Sequence, residues 1–328
     1  MTKRYDVVGI GNAVVDVIAE ADDSFLDLMG IEKGIMQLVE RDRGELLYGA
    51  MKEPTQAAGG SVANSIAGIG AMGLKTSFLG RVKDDALGRF YAHEMEEAGT
   101  AFVNAPVAGG DLPTSRSMIF VSPDGERSMN TYLGISSDVG PEDVPEVVAG
   151  EARIIFLEGY LFDKDKGKAA FRRAAELCRK AGGMAGITLS DPFCVDRHRD
   201  DFRALVKDLD YVIGNQQEWE SLYQTDLSAA LEQAATEAEI VVCTRSGHDV
   251  VLVRGEEEAI APVNEVTPVD ATGAGDQFAA GFLYGLATGA PLAVAGRMGC
   301  IAAAEVIGHI GPRPKANIAA LFRKEGLI

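Results

Sequence analysis

Cysteine and histidine are scarce in this 328-residue chain, with only four residues of each. The cysteines form no C-x-x-C pair, and the histidines have no metal-ligand spacing. These patterns disfavour a disulfide framework and a structural zinc site. The chain is long enough, and with 47% hydrophobic residues apolar enough, to bury a sizeable core without either.

Basic residues are also few, because 31 lysines and arginines stand against 49 acidic residues and the formal net charge is −18. A field of this sign repels nucleic-acid backbones and anionic lipid surfaces. It says little against a small anion such as ATP, because a local cradle of backbone N–H groups can outweigh a distant charge. The charge therefore predicts small-molecule partners and neither nucleic acid nor membrane.

Long apolar runs are missing as well. Asp6 and Asp16 break the first apolar run before it reaches the length of a signal peptide. The region 277–310 is rich in glycine and alanine, but Arg297 and Glu305 interrupt it, which favours packed interior helices. We expect a cytoplasmic protein without a membrane span.

Short apolar runs alternate along the chain with stretches rich in alanine, leucine, arginine and glutamate. This alternation predicts an α/β fold in three layers, with helices on both faces of a mostly parallel central sheet. No repeat, low-complexity tract or long linker divides the chain, so residues 1–328 are predicted to form one domain. The predicted buried strands are 7–10, 154–157, 186–189, 211–213 and 240–243.

A second, smaller sheet is predicted beside the main layer. Segments 114–121 and 127–132 alternate in polarity around a Pro-Asp-Gly turn, which is typical of a β-hairpin. A further strand is predicted at 34–39. If these pieces meet, discontinuous segments at about 17–50 and 106–132 form a lid over the strand ends, where ligands bind in open α/β sheets.

The first strand ends in Gly9-Ile-Gly11, which begins like a dinucleotide-binding loop. Val14 stands where that motif needs its third glycine, so an NAD site is disfavoured. Asp16 is more informative because valines and an isoleucine flank it. Its carboxylate either lies at an exposed strand edge or accepts hydrogen bonds at a site, for example from vicinal hydroxyls.

Gly59 and Gly60 precede a stretch of small residues that is predicted to be helical. Adjacent glycines let the backbone approach a ligand closely. Ser61 is predicted to cap the helix, and Asn64 lies one turn further on, facing the same end. The alternative is a plain turn with Asn64 in solvent, but an asparagine on an alanine-rich apolar face favours a ligand contact.

Two later strand ends carry polar residues. Asn215 is followed three residues later by Glu218, a spacing typical of an N-cap and its capping-box partner. The alternative is that Glu218 helps to hold Mg²⁺, which keeps several waters and takes few protein ligands. The spacing alone favours the cap. Thr244 and Gly247 lie in a turn after another strand, which by itself indicates only a loop.

The segment Asp270-Ala-Thr-Gly-Ala-Gly-Asp276 has several features that suit one task. Gly273, Ala274 and Gly275 can expose consecutive N–H groups at a helix start, where unpaired donors and the helix dipole bind an anion. Asp276 follows in the first helical turn. An acid there also stabilises the helix by about 0.3–1 kcal/mol, which is a purely structural explanation. The dipole is expected to keep the pKa of Asp276 low.

These motifs, in this order and over essentially the whole chain, resemble the PfkB, or ribokinase-like, carbohydrate kinase family. The motifs are Gly59-Gly60 with Asn64, Asn215 with Glu218, and Asp270 to Asp276. Within the family, segments 11–16, 58–65 and 190–193 are most similar to the nucleoside site of adenosine kinases. The resemblance implies a ribokinase-like fold with a β-sheet lid. It also implies transfer of the ATP γ-phosphate to the 5′-hydroxyl of adenosine or a related nucleoside, with Mg²⁺.

The resemblance further implies roles for individual residues. Asp276 is the implied catalytic base, and Arg127 on the lid is implied to reach the phosphates. The implied anion hole comprises Gly273, Ala274 and Gly275. The implied acceptor site comprises Asn12, Asp16, Gly59, Gly60, Ser61 and Asn64. The implied nucleotide site comprises Asn215, Thr244, Gly247, Gly273 and Gly275, and Glu218 is implied to bind Mg²⁺ through water.

Some positions depart from the family pattern. Ala271 replaces a common threonine, and Ser246 stands where a glycine is common in the nucleotide loop. The aromatic residue that would stack on a base is Tyr160, Phe162 or Phe193.

Alternatives stay open at this point. A PfkB-family kinase of a sugar or sugar acid, such as ribose, fructose or 2-keto-3-deoxygluconate, would use the same chemistry. A protein that kept the fold but only bound nucleotides would be regulatory. Activation by K⁺ and the choice between monomer and homodimer are not determined by the sequence.

Overall fold

The protein, described here from a computed structural model over residues 3–328, contains two β-sheets. The strands are β1 (Tyr5–Ile10), β2 (Val14–Glu20), β3 (Met36–Leu38), β4 (Thr55–Gly59), β5 (Thr76–Leu79), β6 (Thr100–Phe102), β7 (Ser115–Val121), β8 (Arg127–Tyr132), β9 (Ala152–Glu158), β10 (Met184–Thr188), β11 (Tyr211–Asn215), β12 (Ile240–Arg245), β13 (His248–Arg254) and β14 (Glu257–Ala261). The α-helices are α1 (Asp23–Met29), α2 (Arg41–Ala50), α3 (Ser61–Ala71), α4 (Ala86–Glu97), α5 (Glu146–Gly150), α6 (Asp165–Lys180), α7 (Pro192–Arg197), α8 (Arg199–Val206), α9 (Gln216–Tyr223), α10 (Leu227–Ala235), α11 (Ala274–Thr288), α12 (Leu292–Ile307) and α13 (Ile318–Lys324). Short 3₁₀ turns cover Gly134–Asp138, Pro141–Asp143 and Gly159–Asp163.

The large sheet has nine strands in the order β14-β13-β12-β11-β10-β9-β1-β5-β6. Its pairs are parallel from β6 to β12, and only β13 and β14 are antiparallel. The prediction of a mostly parallel central sheet is confirmed. All five predicted strands are present, because strands covered on both faces appear in sequence as continuous apolar runs.

Helices cover both faces of this sheet. Neighbouring strand residues point to opposite faces, so Ile154 belongs to one buried cluster and Ile155 to the other. The first cluster includes side chains of α3, α4, α11, α12 and α13, and the second includes side chains of α5, α6 and α8 to α10. The three-layer prediction is therefore confirmed.

The region 277–310 forms most of α11 and all of α12, and these two helices pack closely together. A Cβ atom at Gly281 would lie 2.4 Å from the carbonyl oxygen of Met298, and one at Gly285 would lie 2.7 Å from Cα of Ala295. Glycine at these two positions thus sets the short distance between the helices. Within residues 3–328, no helix is both long and apolar enough to cross a membrane.

The small sheet has the order β3-β8-β7-β2-β4. The predicted hairpin is present as β7 and β8, and β3 pairs with β8, so the two predicted pieces meet. The sheet extends beyond the predicted segments, because it includes β2 from Val14 and all of β4. The sequence Thr55-Gln-Ala-Ala-Gly59 has little β-branched character, and its strand forms by pairing with β2.

The two faces of the small sheet differ. Met118 and Phe120 of β7 pack under α1 and α2, in a small cluster with Leu26 and Leu47. Ser117, which directly precedes Met118, points the other way and lines a cavity against the large sheet. The small sheet therefore covers the carboxyl ends of the central strands.

Candidate active site

A cavity of about 720 Å³ lies between the small sheet and the carboxyl ends of β1 and β9 to β12. This is the position at which open α/β sheets bind ligands. The small sheet contributes Val14, Asp16, Met36, Leu38, Ser117, Met129 and Thr131 to its wall. The strand ends of the large sheet contribute Asn12, Glu158, Thr188, Asn215 and Thr244.

The structure brings most of the predicted site residues together on this wall. They are Asn12, Asp16, Gly60, Ser61, Asn64, Asn215, Glu218, Thr244, Gly273, Ala274, Gly275 and Asp276. Three predicted residues, Gly59, Arg127 and Gly247, are not on the wall. Gly247 lies in the turn between β12 and β13, beside Ser246, whose φ is 53°.

The missing side chain of Gly59 leaves room for a neighbouring group. A Cβ atom at this position would lie 2.6 Å from Oδ2 of Asp16. Gly59 therefore makes room for the Asp16 carboxylate from the neighbouring strand. The predicted contact of Gly59 with the acceptor stays a prediction.

The anion loop lies at the start of α11. Gly273 is the N-cap, with a left-handed φ of 81°, and a Cβ atom there would lie 2.6 Å from Cα of Pro312. No side chain caps this helix. The Ala274 N–H donates to the Ala271 carbonyl at 3.2 Å, whereas the N–H groups of Gly273, Gly275 and Asp276 have no acceptor among the described residues. Gly275 has open space where a Cβ would be, on the cavity wall. The geometry suits a phosphate that approaches the helix dipole.

Asp276 is held by α3. Its Oδ1 accepts a 2.7 Å hydrogen bond from the Ser61 hydroxyl, and its Oδ2 accepts a 3.0 Å bond from Nδ2 of Asn64. The Ser65 hydroxyl donates to the backbone carbonyl of Asp276 at 2.8 Å. Each carboxylate oxygen thus has one fixed donor, which orients the group toward the cavity.

The expectation of a low pKa for Asp276 is wrong. Burial raises the pKa of Asp276 to about 6, although the hydrogen bonds from Ser61 and Asn64 lower it. The loss of hydration outweighs the helix dipole because the carboxylate is enclosed between α3 and α11. The group is still ionised at neutral pH, and it is a stronger base than an ordinary aspartate.

The predicted cap at Ser61 is also wrong. Gly60 is the N-cap of α3, with φ 101°, and Ser61 is the first helical residue. The Ser61 hydroxyl bonds to Asp276, on a different helix. A Cβ atom at Gly60 would lie 2.2 Å from the carbonyl oxygen of Asn12, so only glycine allows this close approach.

Asp16 is not at a sheet edge. It lies on β2, between β7 and β4, opposite Ser117 and Ala57. Burial raises its pKa to about 6, while the charges of Arg127 and Arg313 lower it. Within residues 3–328 no side chain or backbone donor bonds to its carboxylate, which therefore presents its acceptors to the cavity.

Arg127 forms an ion pair behind the wall. Its Nη1 lies 2.8 Å from Oδ2 of Asp270, and each side chain is about one-tenth exposed. Asp270 also accepts hydrogen bonds from the N–H groups of Thr272 and Gly311. Burial raises the pKa of Asp270, but these bonds and the Arg127 charge lower it further than burial raises it. The pair ties the small sheet to the anion loop.

Asn215 and Glu218 form the predicted capping box. The Asn215 side chain accepts from the Glu218 N–H at 2.9 Å, and Glu218 accepts from the Asn215 N–H at 2.8 Å. The Asn215 side-chain amide also donates to Glu218 at 2.6 Å. Burial, and after it the charge of Asp191, raises the pKa of Glu218 to about 7.

The donor set of this wall fits a magnesium ion held mainly by water and phosphate. Residues 3–328 contain no cluster of three or more histidine, cysteine or acidic side chains that could hold a metal by itself. Glu218 and Asp191 are nevertheless both on the cavity wall. One or two carboxylates with water are the protein ligands that Mg²⁺ takes beside substrate phosphates.

Two of the three candidate aromatic residues line the cavity, namely Tyr160 and Phe193. Phe193 is 77% exposed, and the Tyr160 hydroxyl donates to the Ser190 carbonyl at 3.3 Å. The third candidate, Phe162, is excluded because its ring stacks on Phe202 in the core, with 4.3 Å between the ring centroids.

The sequence motifs did not reveal two further charged residues near the site. Glu158 is 1% exposed and accepts from the Asn12 N–H and side-chain amide and from the Val62 N–H. An acid directly after the buried strand 154–157 is a signal that could have revealed it. Arg313 contacts Asn64 from a loop near the C-terminus, and no motif marks it.

Comparisons with known proteins agree with this geometry. A model of the pfkB family of carbohydrate kinases matches residues 27–318. An adenosine kinase structure from Sinorhizobium meliloti is 44% identical, covers 98% of this chain and 99% of its own, and superposes with a TM-score of 0.90. A probable sugar kinase structure from Rhizobium etli is 42% identical, covers 99% and 100%, and has a TM-score of 0.91. A 5-dehydro-2-deoxygluconokinase from Geobacillus thermodenitrificans is 28% identical over 77% of this chain and 79% of its own.

Proposed function

The chain belongs to the pfkB family of carbohydrate kinases, and on that basis we propose that it transfers the γ-phosphate of ATP to the 5′-hydroxyl of adenosine or a related nucleoside. The observation that carries the proposal is one cavity that holds two carboxylates, the anion loop and an aromatic wall. Asp16 and Asp276 are the carboxylates, and Tyr160 and Phe193 are the aromatic residues.

In the proposed reaction, Asp276 accepts the proton of the attacking hydroxyl. The bonds from Ser61 and Asn64 fix its orientation, and a pKa of about 6 keeps it ionised at pH 7. A base with a pKa near the working pH is efficient, and such a base contributes about 10²–10⁴-fold to the rate. Positioning and charge stabilisation supply most of the remaining acceleration.

The transferred phosphate binds the first turn of α11. Gly273, Ala274 and Gly275 line the cavity, and the N–H groups of Gly273, Gly275 and Asp276 are free to donate to the negative charge that develops on the phosphate. Glu218 would hold a Mg²⁺ ion through water, and the ion would supply positive charge that neutralises the phosphates. Thr244 and Asn215 contact the donor nucleotide from the ends of β12 and β11.

The ribose of the acceptor binds Asp16. Its carboxylate oxygens are free of other partners among the described residues, and vicinal hydroxyls are donors of the matching kind. Asp16 lies on the small sheet, and Asp276 lies in the first turn of α11, which packs against the large sheet. An acceptor held by both residues therefore bridges the two sheets. Closure of the small sheet over it excludes water from the reaction.

The wall supports a nucleoside better than a sugar acid. Tyr160 and Phe193 offer apolar faces of the kind on which a base stacks, and Met36 and Leu38 add apolar surface from β3. Six acidic residues line the cavity, against Arg197 as the one basic residue of the wall: Asp16, Glu158, Asp163, Asp191, Glu218 and Asp276. This field disfavours an acceptor that is itself an anion.

A neutral sugar is the second candidate acceptor. The likeness to the probable sugar kinase from Rhizobium etli favours it, since the 42% identity spans the whole chain. The two candidates share Asp276 and the anion loop and differ in their use of the aromatic wall. A purine nucleoside monophosphate as product would place the protein in purine salvage in the cytoplasm.

An acceptor panel tests the proposal. ADP release is measured with ATP, Mg²⁺ and, separately, adenosine, guanosine, inosine, ribose, fructose and 2-keto-3-deoxygluconate. We expect the highest kcat/KM with adenosine or another nucleoside, and mass spectrometry should show the 5′-monophosphate. Turnover on sugars alone would contradict the nucleoside assignment. No ADP release with any acceptor would support a regulatory nucleotide-binding protein instead.

A further inference from the structure

The loop between α12 and α13 lies directly behind the acceptor end of the cavity. The Gly311 N–H donates to Asp270, and the Pro312 carbonyl accepts from the Gln277 side chain at 3.1 Å. Arg313 stands between Pro312 and Pro314, which restrict its backbone. The loop thus holds Arg313 at a fixed place against the start of α11.

Arg313 reaches the catalytic base through one intermediate side chain. Its Nε donates to Oδ1 of Asn64 at 3.4 Å, and Nδ2 of the same amide donates to Oδ2 of Asp276 at 3.0 Å. An asparagine amide has one accepting and one donating side. With the amide turned over, Oδ1 would face the Asp276 carboxylate and repel it. A donor at Oδ1 therefore selects the orientation that binds the base.

The charge of Arg313 also acts on this end of the cavity. Within residues 3–328 no carboxylate lies within 4.0 Å of its guanidinium, so its charge is not cancelled by a direct ion pair. The titratable groups that it influences are Tyr91 and Glu94 on α4 and Asp16 on β2. Nη2 of Arg313 donates to Sδ of Met95 at 3.4 Å, and a thioether sulfur is a weak acceptor.

Other groups face the two carboxylates as well. Arg127 on β8 lowers the pKa of Asp16, and the charge of Asp276 raises it. Asp276 faces Ser61 and Asn64 of α3, and its own charge raises the pKa of Glu158 at the end of β9. Three acids thus share this region, and the two arginines oppose them from different segments.

We propose that Arg313 is a positioning residue for phosphoryl transfer: it fixes the Asn64 amide with Nδ2 toward Asp276 and places positive charge near Asp16. It does not touch the reacting atoms, because it is behind the wall formed by Pro312, Asn64 and Asp276. The role in turnover rests on the proposed kinase function. The effect on ionisation of Asp276 does not.

The main test compares Arg313→Met with wild type and with the control Arg297→Met. Arg297 is a matched control because it also bridges segments, donating to the Pro262 carbonyl and the Asn264 side chain, away from the cavity. The pH dependence of kcat/KM for the acceptor is measured from pH 5 to 9. Independently of turnover, ¹³C-carboxyl aspartate NMR follows the titration of Asp276, assigned by its loss in Asp276→Asn.

We expect Arg313→Met to move the acidic limb and the Asp276 titration upward by about one pH unit, because Asp276 loses its oriented Asn64 donor and Asp16 loses a nearby positive charge. The KM for ATP should change less than twofold. Arg297→Met should lower the melting temperature and leave both pH midpoints unchanged. Arg313→Lys, which keeps the charge but loses the Nε donor, should shift the midpoints by a smaller amount and serves if the methionine variant does not fold.

An unchanged Asp276 titration in a folded Arg313 variant would overturn the inference, whatever the loss in rate. A rate that falls equally at every pH would also overturn it, since that is the result of a merely structural role. If wild type phosphorylates no acceptor, the proposed function fails. The NMR titration still decides the role of Arg313 in that case.

Discussion

The two ends of the cavity are built in different ways. At the acceptor end, comprising Asp16, Ser61, Asn64, Glu158 and Asp276, hydrogen bonds join segments far apart in sequence, and the bond from Ser61 to Asp276 spans 215 residues. At the donor end, comprising Asn215, Glu218 and Thr244, the main interaction is a capping box that spans three residues. The acceptor end therefore depends on the tertiary fold, and the donor end depends largely on local sequence.

The carboxylates at the two ends of the cavity are held in different ways. Carboxylates enclosed by several elements lose hydration, and the pKa values of Asp16 and Asp276 both rise to about 6. Glu218 is buried too, but its oxygens are occupied by the N-terminus of its own helix. The pKa of Glu218 also rises, to about 7, so both ends hold a carboxylate that titrates near neutral pH. The difference is that a local capping box orients Glu218, whereas side chains of a distant helix orient Asp276.

The strongest way to break the acceptor end is Asp276→Asn. It keeps the shape and removes the base, so we expect kcat to fall by about 10²–10⁴-fold with the best acceptor. Asp226→Asn is the control, because Asp226 caps α10 outside the cavity. Steady-state kinetics check the prediction, with circular dichroism to confirm folding. A nearly unchanged kcat in a folded variant would show that another group takes the proton.

Acidic pH should act on the same end with opposite effects on activity and stability. Below the raised pKa of Asp276, about 6, kcat/KM should fall by about tenfold per pH unit as the base is protonated. The pKa in the folded state lies above the ordinary aspartate value of 3.8, so the folded state binds the proton more tightly than the unfolded state. Between those values, the contribution of this group to stability therefore increases as the pH falls.

The stability half of this prediction has its own measurement. The melting temperature of wild type is compared with that of Asp276→Asn from pH 4 to 8. At pH 8 the melting temperature of the variant should be higher than that of wild type, because in wild type the buried carboxylate is charged. The difference in melting temperature should shrink toward pH 4. A difference that is constant over this range would mean that Asp276 does not titrate as described.

Asn215→Ala tests the donor end. Loss of the cap should cost about 1 kcal/mol of stability, and displacement of Glu218 should raise the KM for ATP severalfold with a smaller change in kcat. Asp226→Ala removes a comparable cap at α10, where Asp226 accepts from the Ala229 N–H. It should cost similar stability in urea unfolding without changing KM. Equal KM values for ATP in the two variants would show that Asn215 does not contribute to nucleotide binding.

The smallest effect is expected at Gly247. An added Cβ meets nothing within 4 Å, and the residue is outside the cavity wall, so Gly247→Ala should change stability by less than about 0.5 kcal/mol. The KM for ATP should stay the same. A clear rise in this KM would restore the role that the family resemblance implies for Gly247.

Local patterns predicted much of the architecture. The apolar runs at 154–157 and 240–243 became central strands, the Pro-Asp-Gly turn became the β7–β8 hairpin, and Asn215 with Glu218 became a capping box. Such features depend on residues within one element or its neighbour, so the sequence alone carries them. The full small sheet was less predictable, because β4 is stabilised as a strand by its pairing with β2.

The site itself depended on the fold. The sequence by itself determined the three-layer arrangement of a sheet between two layers of helices. It also determined the glycine-rich helix start at Gly273 and the acid in the first turn of that helix. Only the tertiary structure decided that Ser61 bonds to Asp276, that Phe162 is in the core and that Arg313 supports Asn64 across 249 residues. Hydration and long-range hydrogen bonds are set by which segments meet, and an individual motif does not encode its distant neighbours.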